Sequence, residues 1–176
     1  MNVRTQNITL SALFMALGVL FPILFHAAGL GSILLPMFWP VAASAFFLPI
    51  PYAFAVGTLT PVLSTLITGM PPPPTLYRMI FELAVLATIT GLLYKKTRYG
   101  IFWPLLGGLF TAMVAGLLGS TAIAPILGLP TKFYAIASLI KTIPGIMTIL
   151  ALAPPILKRI KHEPIWSSRT THVKDP

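Results

Sequence analysis

The sequence has no cysteine, and only three of its 176 residues are acidic. Without cysteine there is no disulfide, no thiol nucleophile and no thiolate metal site. Glu163 and Asp175 fall in a polar C-terminal stretch, which leaves Glu82 as the one carboxylate in the apolar region. That region therefore holds no pair of carboxylates for general acid–base chemistry. No glycine-rich phosphate loop ends in a lysine, so the chain does not itself hydrolyse nucleotide. His26, His162 and His172 are not spaced as metal ligands, and no Ser–His–acid set can be assembled. No enzymatic activity, metal centre or cofactor is expected.

Charge is scarce too. Charged residues make up 9% of the chain, against roughly a quarter in soluble domains. Apolar residues make up 56%, and the mean hydropathy is +0.89. So little polar surface cannot cover a globule of this size, and lipid is the expected solvent. The formal charge of +9 does not point to nucleic acid, because the bases cluster where apolar segments end. Lys95, Lys96 and Arg98 form one cluster; Lys158, Arg159 and Lys161 form another. Anionic headgroups and the positive-inside rule select such clusters.

The hydropathy runs predict an all-α membrane protein with a bundle of six transmembrane helices. A spanning helix needs about 20 mostly apolar residues. The first runs from about Ile8 to Phe25, 18 residues, longer than a signal-peptide core of about 7–15, so it is read as retained. The second, about Leu35 to Leu48, is short and carries Pro36 and Pro40 near its start. The third spans about Tyr52 to Thr68, and the fourth about Thr75 to Tyr94, beyond a stiff Gly69–Pro74 connection. The fifth covers about Ile101 to Leu118. Gly119 to Pro130 reads as a loop or re-entrant piece, and the sixth runs from about Thr131 to Leu157, with a kink at Pro144-Gly145. Residues 1–161 form one transmembrane domain, and 162–176 a polar tail expected to be disordered. Arg4, the 95–98 cluster and the tail share one side of a six-span bundle, which puts both termini in the cytoplasm.

The outward connections, about 26–34, 69–75 and 119–131, are rich in glycine and proline and nearly uncharged. Such segments either close over an outward-facing pocket or lie in the headgroup region. Ionisable residues within spans are usually functional or paired. Arg78 and Glu82 share a face of the fourth helix, and Lys141 falls near the middle of the sixth. Glu82 either ties the bundle together through Arg78 or Lys141, or lines a polar cavity with them. His26, Met37, Trp39 and Tyr77 mark the outer half. An aromatic belt accounts for Trp39 and Tyr77 without a ligand. His26 with Met37 offers a soft-metal or haem-iron pair, but a lone histidine beside a distant methionine is more often a loop residue. Small-xxx-small ridges occur at Ala12/Ala16, Ala87/Gly91 and Ala112/Gly116.

Six spans in under 200 residues, with Ala12-x-x-x-Ala16 in the first, resemble the substrate-binding S component of energy-coupling-factor transporters. Leu35-Pro36-Met37-Phe38-Trp39-Pro40-Val41 is similar to a loop-to-helix motif in one branch of that family. So are Thr60-Pro61-Val62-Leu63-Ser64, Leu66 to Pro72, and Glu82-Leu83-Ala84. The resemblance covers about residues 8 to 157 and departs at Phe38, where many members of the branch carry histidine. It implies a multi-pass subunit of a prokaryotic plasma membrane that binds a vitamin or related micronutrient at its outer side. It further implies docking through Ala12 and Ala16 on a transmembrane coupling subunit driven by two ABC-type ATPases, and delivery by toppling. On this reading the substrate contacts are His26, Met37, Trp39, Tyr77, Arg78, Glu82 and Lys141. The alternatives are a structural or regulatory membrane protein without a small-molecule ligand, and a haem or metal carrier of the same fold.

Overall fold

The computed structural model describes residues 2–31, 34–73, 75–97, 100–126 and 131–162, with the backbone alone for 122–126, 131–141 and 162. The regular elements among them are six helices: α1 (Val3–Ala27), α2 (Phe38–Phe47), α3 (Ile50–Thr68), α4 (Thr75–Lys96), α5 (Phe102–Ile126) and α6 (Thr131–His162). Five are long and apolar enough to cross a membrane, the architecture of a multi-pass membrane protein. The exception is α2. Its 10 residues rise about 15 Å, half of a hydrocarbon core about 30 Å thick.

Local chemistry sets the helix bounds. The Asn2 side chain accepts from the Arg4 backbone N–H at 3.3 Å, which starts α1 well before the apolar run. Leu35 adopts φ +48° just before Pro36, and α2 begins only beyond that break, so the expected start at Leu35 moves to Phe38. Pro40 sits in the first turn, where a missing N–H is tolerated. Leu48, ahead of Pro49, is extended (φ −110°, ψ 152°) and ends the helix. Gly69 closes α3 in the left-handed region at φ +74°, donating its N–H to Thr65 O at 2.9 Å.

One expectation is corrected at α5. Residues 119–126, read as irregular, continue the helix to Ile126. Irregular backbone in lipid leaves N–H and C=O groups unpaired, whereas a lone glycine in a helix costs only about 1 kcal/mol. Residues 127–130 and the tail from 163 lie outside the described residues. The α6 helix runs on through Pro144, Pro154 and Pro155 to His162, beyond the expected end at Leu157. Hydroxyls within the spans bond back onto their own helices, as in Ser11 to Asn7 O (2.8 Å), Thr60 to Val56 O (2.5 Å) and Ser120 to Gly116 O (2.7 Å).

Alternating helix direction gives the bundle two ends. At one, α2, α4 and α6 terminate together. Lys161 Nζ donates to the Tyr94 hydroxyl and lies 3.9 Å from that ring's centroid, with Phe47 at 5.7 Å and Phe46 at 5.9 Å. Lys95, Lys96, Lys158 and Arg159 belong to the same end. At the other end α1 and α3 finish and α2 and α4 begin.

The α4 helix is the spine, packed against α2, α3 and α5, with Leu83, Leu86 and Ala87 fully buried. Glycines on its neighbours set how closely they approach. A Cβ added to Gly57 of α3 would lie 2.5 Å from Leu83 O and 3.0 Å from Ala84 Cα, and neither backbone atom can move aside. On α5, Gly108 seats against Thr90 and Gly116 against Glu82. Gly57→Ala is therefore expected to destabilise the detergent-solubilised protein by about 1–3 kcal/mol in thermal unfolding. Gly119→Ala, whose added Cβ meets nothing within 4 Å, is expected to leave stability unchanged or slightly raised.

Candidate functional site

Because α2 is short, it leaves part of the bundle's second end unfilled. A cavity of about 330 Å³ occupies this space. The last turns of α1 supply Pro22, Ile23 and His26; Leu35, Pro36 and Met37 come from just ahead of α2, and Phe38 is its first residue. From α3 come Ser64 and Thr68, and from the first turns of α4 Thr75, Arg78 and Met79. Gly31 of the α1–α2 connection and Met70 to Pro72 of the α3–α4 connection complete the lining.

Both connections are pinned by hydrogen bonds. Ser64 Oγ donates to Met70 O at 2.8 Å, and Thr65 Oγ1 to Pro71 O at 2.9 Å. Thr68 Oγ1 lies 3.2 Å from Met70 O and accepts from Met70 N at 3.2 Å. Three hydroxyls on the last turns of α3 thus hold a segment whose prolines have no N–H to hold it with. On the other connection, Trp39 Nε1 donates to Leu34 O at 3.2 Å. His26 Nδ1 lies 2.7 Å from Pro22 O. A carbonyl only accepts, so Nδ1 carries the proton. A side chain at Gly31 would run into this imidazole, so glycine there gives the ring its place.

Of the residues singled out from the sequence, His26, Met37 and Arg78 share the cavity wall. Trp39 does not line it; its indole ties down the connection beside it. Tyr77 is 51% exposed and faces away from the bundle. Glu82 is 7% exposed and lies one turn below Arg78, against Gly116 of α5 and outside the cavity lining. Its Oε1 is 3.7 Å from Arg78 Nε. The side chain of Lys141 falls outside the described residues. Sequence reasoning missed Ser64, Thr68, Thr75 and Met79. The signal for them was available: Ser64 and Thr68 are four apart beside a proline run, and Thr75, Arg78 and Glu82 repeat at helical spacing.

The arrangement is suited to holding a small molecule. It combines an apolar lining with one cation, one imidazole and a few hydroxyls, at the small end of the ligand-pocket range of about 300–1,000 Å³. No cluster of three or more His, Cys, Asp or Glu poised for a metal occurs among the described residues. Fold and cavity together define a multi-pass helical membrane protein with a ligand-sized chamber at one end. The chain matches no family model, no curated protein and no solved structure.

The hydroxyl latch on the α3–α4 connection is testable. In the segment 69–74 only Gly69 and Met70 carry an amide proton. Ser64→Ala combined with Thr65→Val is expected to speed hydrogen exchange at both. Each lost bond costs about 1 kcal/mol, so an increase of roughly fivefold or more per bond is expected. Unchanged exchange would mean the latch does not hold the segment.

Proposed function

We propose that the chain is the membrane-embedded substrate-binding subunit of an importer of the energy-coupling-factor type, taking a vitamin or related micronutrient from outside the cell. The observation that carries this reading is the cavity of about 330 Å³ at the end opposite the basic clusters. By the positive-inside rule the basic end, with Lys95, Lys96, Lys158, Arg159 and Lys161, faces the cytoplasm. The cavity then opens toward the outer side of a prokaryotic plasma membrane, and both termini are cytoplasmic, with α2 counted as the sixth, incomplete span.

The partner side of the proposal rests on α1. Among the three small-residue ridges, Ala87/Gly91 and Ala112/Gly116 are buried inside the bundle, whereas Ala12 and Ala16 are exposed on its outside. An outward ridge of small side chains lets another helix approach closely, as docking on a coupling subunit with its pair of ATPases requires. Few charges lie along the flanks, so rotation in lipid costs less than for a chain with large polar domains. The charged basic end resists deep burial, so toppling would need the partner.

One observation favours the metal or haem variant as a second reading. Met37, Met70 and Met79 line the same cavity as His26, a soft donor set. Metal analysis and the absorbance spectrum of the purified protein decide between the two.

Native mass spectrometry of the purified chain is expected to show one small molecule bound in stoichiometric amount. A protein that is empty, and that no vitamin-like compound stabilises, would favour the structural or regulatory alternative. Ala12→Trp is expected to keep ligand binding and abolish uptake in cells; loss of binding would contradict the docking assignment.

A further inference from the structure

Resting on the small-molecule reading above, we infer that the cavity selects a small organic anion, an apolar body bearing one carboxylate that docks on Arg78. The case comes from accounting for donors and acceptors around the chamber. Four carbonyls near the chamber are already used as acceptors. Pro22 O takes the His26 Nδ1 proton at 2.7 Å, and Phe25 O takes the Leu30 N–H at 2.8 Å. On the proline segment, Met70 O takes the Ser64 hydroxyl and Pro71 O the Thr65 hydroxyl.

The backbone donors at the helix N-termini are partly used as well: Phe38 N–H donates to Leu35 O at 2.9 Å, Leu76 N–H donates to Pro72 O at 3.2 Å, and Pro40 has none. Arg78, in the opening turns of α4, lines the cavity, and its Nε is buried with no hydrogen-bond partner among the described residues. Glu82 Oε1 stands 3.7 Å away, beyond the roughly 2.7–2.9 Å of a charge-assisted N–H···O bond. Nε is closed to the chamber, so a ligand there meets the rest of the guanidinium, and Arg78 is the one lysine or arginine among the described residues of the lining.

Glu82 cannot be a ligand-side acceptor, because it lies a turn deeper against Gly116 and outside the lining. It is a positioning residue that holds the guanidinium over the chamber. A carboxylate entering from the cavity side meets the Arg78 cation, while Leu35, Met37, Phe38 and Met79 receive the apolar body. The volume limits that body to a small one.

The test uses the full-length protein in detergent with matched probes, benzoate against benzamide and indole-3-acetate against indole-3-acetamide, read by thermal shift and calorimetry. The acids are expected to bind about tenfold or more tightly than the amides. Arg78→Gln is expected to abolish that preference, and Arg78→Lys to keep part of it. Amides binding as well as acids, or a preference that survives Arg78→Gln, would overturn the inference. The comparison on the unaltered protein decides even if Arg78→Gln fails to fold. A co-purified ligand that is neutral, cationic or a phospholipid would overturn the anion while leaving a binding protein. No bound molecule and no response to either probe of each pair would sink both.

Discussion

The thickness of the lipid core against the length of α2 is the constraint from which the chamber follows. A span needs about 20 residues, and α2 has 10. Residues 34–37, just ahead of α2, are irregular backbone, which membrane depth tolerates only where protein buries it or it borders a cavity. Here it does both. Pro36, Met37 and Phe38 are buried, and the same residues face the chamber. The breaks that bound α2 lie next to prolines: Leu35 at φ +48° precedes Pro36, and the extended Leu48 precedes Pro49.

The α4 helix translates that constraint into a site. Glycines on α3 and α5 bring both neighbours to backbone contact with it, so its register relative to the bundle has little freedom. Arg78 and Glu82, one turn apart, are thereby sent to different places: the cation to the cavity wall and the carboxylate to the α5 interface. The structural and functional readings of this pair are compatible, since the member that packs can orient the member on the cavity wall. At the opposite end, the Lys161 ammonium among Tyr94, Phe46 and Phe47 joins α6 to α2 and α4. Both ends are tied, one by aromatic rings around a cation and the other by hydroxyls on the Met70 and Pro71 carbonyls.

Much of this was legible in the residues. The apolar runs predicted six spans, of which five are helices long and apolar enough to cross and the remaining one, α2, is a short helix. Pro49-Ile50-Pro51 and Gly69 marked turns that the structure contains. The expected loop over 119–126 failed because glycine and proline were read as breaking signals, as they are in water. In lipid the need to pair every backbone group outweighs the roughly 1 kcal/mol that a glycine costs a helix. At the site, His26, Met37 and Arg78 were recognised as chemistry-bearing residues. Trp39 and Tyr77 were not separable from them, because aromatic residues near a membrane surface look alike whether they face a ligand, a loop or lipid.

The sequence by itself determined the solvent, the helical class and the scarcity of reactive groups, because these depend on composition and on hydropathy summed along the chain. It also located the basic end. Only the tertiary structure decided that Ser64, Thr68, Met70, Thr75 and Arg78 border one chamber with His26 and Met37, and that Ala12 and Ala16 point outward while the other small-residue ridges point in. Period and composition specify which residues share a face of one helix. Which neighbour that face meets depends on how closely the helices pack and where a short one stops, and that is settled by contacts between residues far apart in the chain.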